Sequence, residues 1–310
     1  MSPPDLIRIA TRASQLALWQ ANHVAGLLQA ASPGCIVELV QVSTIGDRDQ
    51  KESLQSFGGF GVFTREVQRA VLDQRADLAV HSLKDLPTEP AEGLYLAAVP
   101  PRADVDDALL FPASKPELTN LDSLAPGAVV GTGSVRRQSQ LRHLRPDLQL
   151  KEVRGNVETR LRKLDDGEYD ALVLAVAGLT RLGFEGRIRQ RLSPPIMFPA
   201  VGQGALGLEC RVDDEPLRQL LSQIEDPATR QRVDAERAVL RHLQAGCHAP
   251  VGVRTSFEQG QLVLEAVVLS PDGTTRLLAT GSASPATANE LGITVAEDLL
   301  SQGAETFISG

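Results

Sequence analysis

The 310-residue sequence has no apolar run approaching the ~18–20 residues that a membrane span requires, so no transmembrane segment and no membrane partner are expected. Its start, Met1 to Asp5 followed by Leu6-Ile7-Arg8-Ile9-Ala10, lacks the basic opening and the long apolar stretch of a secretory signal. A cytoplasmic location is therefore the expectation. Cysteine is scarce: Cys35, Cys210 and Cys247 are an odd number at wide spacing, without a C-x-x-C or a Cys/His cluster of zinc spacing. Neither a disulfide framework nor a metal site is expected. Lysine is scarce too, since arginine supplies 26 of the 31 basic residues, and its planar fork suits carboxylate or phosphate recognition. There is no fixed-period repeat and no low-complexity tract. The net charge of −8 argues against nucleic acid as the main partner, because such a binder needs a basic surface to displace counterions.

The charge is uneven. Residues 131–191 hold 11 Arg and 2 Lys against 8 Asp and Glu, a local +5 that leaves −13 for the rest, which points to an anion site. The length predicts two or three domains. Short apolar runs alternate with amphipathic stretches over the first hundred residues, the pattern of parallel strands joined by helices. Strands are predicted at residues 6–10, 36–42 and 78–81 and helices at 14–30 and 64–72, with Ser14 as N-cap. Residues 43–61, rich in glycine and charge, read as a long loop. Pro100-Pro101 breaks the pattern, and a second α/β unit follows with strands at 129–131, 148–152 and 171–175 and helices at 134–144, 156–164 and 177–182. Pro194-Pro195 and Pro199 make a matching break, after which residues 205–210 read as a strand returning to the first unit. From about residue 226 a helix (228–243), a Gly/Pro loop (246–252), two alternating strands (262–269, 275–282) and a closing helix (286–300) form a small α+β domain. The expected division is 1–100 with 200–218, then 105–194, then 223–310.

In an open parallel sheet, ligands bind beyond the carboxyl ends of the strands, where loops lead into helix N-termini. Polar clusters fall at five such places: Thr11-Arg12-Ala13-Ser14, His81-Ser82-Leu83-Lys84-Asp85, Thr132-Gly133-Ser134-Val135-Arg136-Arg137, Arg154-Gly155-Asn156 with Arg160, and Thr180-Arg181. Together they predict a cleft that holds a polyanion. Asp85, a carboxylate among bases, can stabilise positive charge developing on a substrate. Cys247, in the loop Gly246-Cys247-His248-Ala249-Pro250, is the best placed of the three cysteines for covalent attachment, whereas Cys35 and Cys210 look structural. Gly202-Gln203-Gly204 lacks the further residues of a nucleotide loop.

These segments, with Leu174-Ala175-Val176-Ala177-Gly178-Leu179, Pro199-Ala200-Val201-Gly202-Gln203-Gly204 and Ala245-Gly246-Cys247, resemble the hydroxymethylbilane synthase (porphobilinogen deaminase) family in order and spacing, from Ile7 to about Gly303. The resemblance implies an α/β fold: two periplasmic-binding-protein-like lobes with mainly parallel sheets, plus a small C-terminal α+β domain carrying the cofactor cysteine. It implies a monomeric transferase of porphyrin (heme-type tetrapyrrole) biosynthesis that condenses four porphobilinogen molecules head to tail with loss of ammonia, then releases the linear tetrapyrrole by hydrolysis. The primer would be a dipyrromethane cofactor bound through a thioether to Cys247. Asp85 would act as acid and base near the pyrrole nitrogens. Arg12, Ser14, Ser82, Lys84, Thr132, Ser134, Arg136, Arg137, Arg154, Arg160, Arg181 and Gln203 match family positions that bind cofactor or substrate carboxylates or add polar contacts.

Two positions depart from the family pattern: Phe60 stands where a Gly-Gly-Lys-Gly loop has lysine, and Gly133 where serine is common. A bilobed arginine-lined protein could also be a non-catalytic small-anion binder, which would have no use for Cys247. An inactive regulatory relative is a third reading, hinted at by Phe60 alone.

Overall fold

The computed structural model describes residues 4–43, 64–246 and 248–308. The loop expected at 43–61 therefore lies, but for Ser43, outside the described residues. In chain order the elements begin β1 (Leu6–Thr11), α1 (Gln15–Ala31), β2 (Ile36–Gln41), α2 (Arg65–Leu72), β3 (Leu78–Ser82) and β4 (Leu94–Ala98). Next come β5 (Asp107–Leu110), β6 (Val129–Gly131), α3 (Val135–Leu144), β7 (Gln149–Lys151), α4 (Val157–Asp165), β8 (Ala171–Ala175), α5 (Val176–Arg181) and β9 (Gln190–Leu192). The chain continues with β10 (Leu206–Arg211), α6 (Glu215–Leu221), α7 (Pro227–His242), β11 (Val251–Glu258), β12 (Gln261–Leu269), β13 (Arg276–Ala283) and α8 (Ala288–Ser301). Among the described residues no helix is long and apolar enough to cross a membrane.

Two compact units result, Met1–Ala103 with Ala205–Arg230, and Asp104–Gly204 with Gln231–Gly310. The first holds a five-stranded sheet in the order β2-β1-β3-β10-β4, and the second a five-stranded sheet in the order β7-β6-β8-β5-β9. The fold is mixed α/β, with two lobes of mainly parallel sheet and a small C-terminal domain. Both sheets share one plan: four strands run one way, and one (β10, β5) runs against its neighbours. Each antiparallel strand is the first laid down after the chain passes from one unit to the other.

Local sequence explains the elements. Ile7, Ile9 and Ala10 of β1 and Leu78, Ala79 and Val80 of β3 are all buried, as strands covered on both faces must be. In α1 the buried residues are Gln20, Ala21, Val24 and Leu28, one helical stripe, and Ser14 Oγ accepts from Ala17 N (3.3 Å) as the N-cap.

The C-terminal sheet is an antiparallel meander, β11-β12-β13, against which α7 and α8 bury one common core. Three strands stand where the sequence pattern predicts two; β11 begins inside the segment read as a Gly/Pro loop. A Cβ at Gly292 of α8 would lie 2.3 Å from Ala235 O of α7, so the two helices cross at a point where only glycine fits. Within the second unit this meander is fastened to the middle sheet's α3 by Arg142 Nη1, which donates to Pro271 O (2.6 Å), and by His143 Nδ1, 2.8 Å from Gly273 O.

Candidate cofactor and catalytic residues

In the first unit the candidate residues gather past the carboxyl ends of two adjacent parallel strands, β1 and β3. Thr11 Oγ1 donates to Ala17 O (3.1 Å), tying the end of β1 to the first turns of α1, whose N-cap is Ser14. Gln20 of the same helix donates from Nε2 to Ser82 Oγ (2.8 Å), tying the end of β3 to it. Arg12, Ser14, Ser82 and Lys84 are partly exposed around this junction.

Leu83–Asp85 form one tight helical turn. Leu83 and Leu86 are buried on either side, Leu83 N donates to Ala205 O (3.0 Å) and Leu86 N to Leu83 O (3.1 Å). A Cβ at Gly207 would come within 2.7 Å of Leu83 Cδ1, so the strand beneath the turn needs glycine for Leu83 to seat. The turn is thereby fixed and its tip, Asp85, is exposed; among the described residues its carboxylate takes part in no hydrogen bond or ion pair. The strands β3 and β10 and the helix α2 share a polar cluster that the sequence pattern does not reveal. His81 Nε2 sits 2.9 Å from Glu209 Oε2, each side chain 3% exposed, and the same oxygen accepts from Gln68 Nε2 (2.9 Å).

In the second unit the candidates follow β6, β7 and β8, which are parallel and in register at Gly131, Lys151 and Leu172. Thr132 is buried; its N donates to Lys151 O (2.9 Å), its carbonyl accepts from Gln138 Nε2 (2.9 Å) and its Oγ1 accepts from Ser134 N (3.3 Å). This braces the entry to α3, where Ser134 is the cap residue and Arg136 and Arg137 lie in the first turn.

Both arginines are buried and converge on Asp107 at the start of β5, which is 0% exposed. Asp107 Oδ2 accepts from Arg136 Nη1 (2.8 Å). Oδ1 accepts from Arg137 Nε (3.0 Å), Arg137 Nη2 (2.6 Å) and Gln203 Nε2 (3.0 Å). Burial opposes ionisation of Asp107, but Arg136 and Arg137 outweigh it and hold the carboxyl below the usual carboxylate range. Arg137 Nη1 also donates to Val173 O (3.0 Å), so all three of its nitrogens are engaged. Arg136 differs: its Nη1 serves both Asp107 and Phe198 O (2.6 Å), while its Nε and Nη2 have no partner among the described residues.

The remaining bases follow β7 and β8 along the chain. Arg154 Nε donates to Glu152 Oε1 (2.8 Å) and Arg160 Nε to Gly155 O (2.8 Å). Arg181, at the end of α5, donates from Nη2 to Gly204 O (2.7 Å), next to Gln203; burial pulls its guanidinium down to about 10, which still leaves it charged at neutral pH. Arg136, Arg137 and Gln203 are thus assembled on one carboxylate, and a carboxylate-bearing ligand suits the uncommitted donors of Arg136. Among the described residues no group of three or more His, Cys, Asp or Glu could hold a metal.

Cys247 lies outside the described residues. Its loop leaves α7 through buried Ala245, whose N donates to Leu240 O (2.9 Å), and Ala249 N donates to Gly246 O (3.0 Å). Cys35 and Cys210 are buried free thiols; burial raises the pKa of both, that of Cys210 to about 12. Of the two departures, Phe60 lies outside the described residues and Gly133 is exposed. A Cβ at Gly133 would meet Glu152 Cγ at 3.5 Å and Val153 O at 3.7 Å, ordinary contact. Gly133→Ser is accordingly expected to shift the unfolding free energy from urea melts by no more than about 0.5 kcal/mol, and a larger loss would mean the glycine is sterically required.

Among solved structures the chain is similar to the methionine-binding protein MetQ (12% identity, 74% of this chain and 94% of that one, TM-score 0.46). It is also similar to substrate-binding domain 2 of GlnP from Lactococcus lactis (11%, 78% and 91%, 0.45) and to the probable amino-acid transporter binding protein ytmK from Bacillus subtilis (8%, 74% and 95%, 0.41). Residues 7–219 match the family model described as porphobilinogen deaminase, dipyromethane cofactor binding domain, and residues 230–301 match that of the porphobilinogen deaminase C-terminal domain. Since these two matches run over nearly the whole chain, it belongs to the porphobilinogen deaminase family.

Proposed function

We propose that the chain is a hydroxymethylbilane synthase, a transferase that joins four porphobilinogen molecules head to tail with loss of one ammonia each and releases the linear tetrapyrrole by hydrolysis. The match of residues 7–219 to the cofactor-binding domain of the family carries this reading. A dipyrromethane, when bound through a thioether to Cys247, supplies the terminal ring to which the first substrate is joined. The enzyme acts as a cytoplasmic monomer with porphobilinogen as its small-molecule partner and needs no metal.

The chain's own residues then divide the work. Arg136, with donors to spare, Arg154, Arg160 and Arg181 hold carboxylates, which increase in number with each ring; Arg137 and Gln203 complete the base on which Arg136 rests. Arg12, Ser14, Ser82 and Lys84 bind from the strand ends of the first unit. Thr132 and Ser134 shape the entry to α3. The exposed carboxylate of Asp85 stabilises the cation left when ammonia departs and accepts the proton that the ring loses on C–C bond formation.

Incubation of the full-length protein with porphobilinogen tests the reading. The expected result is consumption of substrate with one ammonia released per molecule and appearance of a linear tetrapyrrole. Binding of porphobilinogen without consumption would replace it with the small-anion-binding reading.

A further inference from the structure

Asp107 is a carboxylate that none of the foregoing chemistry uses, yet it accepts hydrogen bonds from Arg136, a residue assigned to hold carboxylates, and from Arg137 and Gln203, which support it. One anion against two guanidiniums leaves a positive charge over in a site where Arg136 is 4% and Arg137 7% exposed. Taking ions out of water is costly, and a core selected for stability alone would replace such a set with apolar side chains. An unbalanced buried set is understandable if a second anion completes it when ligand is bound.

The surroundings keep the set rigid. Phe198 O, the second acceptor for Arg136 Nη1, is itself clamped by Gln140, which accepts from Phe198 N at Oε1 (2.7 Å) and donates to Phe198 O from Nε2 (3.1 Å). Gln203 is also fixed from the other side, donating to Val105 O (2.7 Å). Arg136 is therefore gripped by one nitrogen and presents its Nε and Nη2 already oriented.

We infer that Asp107 is a positioning residue: together with Arg137 and Gln203 it holds Arg136 in place, so that the carboxylates of the cofactor meet fixed donors on Arg136. The inference rests on the proposed function. A displacement of about 1 Å in a ligand-holding group can cost on the order of 100-fold in rate, the scale expected here for cofactor assembly.

The test uses full-length protein produced in a host that makes porphobilinogen, with intact mass reporting the fraction of chains carrying cofactor. Asp107→Asn is expected to fold, by its circular dichroism, and to be almost wholly unloaded. Leu141→Ala, a cavity in the same helix at a fully buried site, is the control for lost stability and is expected to load like wild type. Normal loading of folded Asp107→Asn, or equal loss in Leu141→Ala, would overturn the assignment. Should Asp107→Asn not fold, Asp107→Glu decides, because it keeps the charge but moves it by one methylene: folded and poorly loaded supports positioning, folded and fully loaded overturns it, and failure of both variants to fold makes Asp107 a folding residue only. An unloaded wild type would instead refute the function, not the inference alone.

Discussion

Full-length protein purified from a host that makes porphobilinogen is expected to be heavier than its sequence by one dipyrromethane, and Cys247→Ser is expected to remove the whole increment. The proposed attachment is a single thioether to which the other two cysteines are unsuited, so the effect is all or none. The thiolate is the nucleophile, and burial that raises a thiol's pKa disfavours it. Cys210 is fully buried with its pKa pushed up to about 12, so at neutral pH almost none of it is ionised, and Cys35 is buried and shifted the same way. A wild-type chain of bare sequence mass would reject both cofactor and function. An increment that persists in Cys247→Ser would move the attachment to another side chain and leave the function to be judged by its product.

Much of this architecture is legible in the sequence because its signals are local. The strands β1, β3, β6 and β8 are short apolar runs bounded by polar residues, and Ser14 announces its helix by capping it. What escapes is what depends on distant partners. β9, Gln190–Leu192, buries only Leu192 and has no pattern of its own; it exists because β5 offers it an edge. β11 buries Val251, Gly252 and Val253 in a row and so shows no alternation, and the glycines and Pro250 around its start read as a loop. β5 opens on an aspartate soon after a double proline, which looks like a surface turn until Arg136 and Arg137 are seen to neutralise it. The site divides along the same line. The clusters at strand ends can be read because topology puts ligands there. The residues that hold them cannot: Gln203 to Asp107 spans 96 positions, Gln68 to Glu209 spans 141 and Gln20 to Ser82 spans 62, and no pattern within a window of helix or strand length encodes such pairs.

Asp85→Asn is expected to keep the fold and the attached cofactor but to lower kcat by about 100- to 10,000-fold, the range over which a positioned acid or base contributes. The substitution is nearly isosteric and falls on an exposed side chain without hydrogen-bond or ionic partners among the described residues, so stability should change by no more than about 0.5 kcal/mol. The backbone beneath it is held by Leu83 and Leu86, which the change leaves untouched. Only two properties of the side chain are then removed: its negative charge and its capacity to take up a proton. In the proposed reaction both matter at the same moment, when loss of ammonia leaves a cation that must be stabilised and then deprotonated. An amide can do neither, whereas a group that merely bound substrate would raise KM and spare kcat. Single-turnover measurements on cofactor-loaded protein separate the outcomes: a slow chemical step at saturating porphobilinogen supports the acid–base role. Near-normal turnover by Asp85→Asn would transfer that role to another residue.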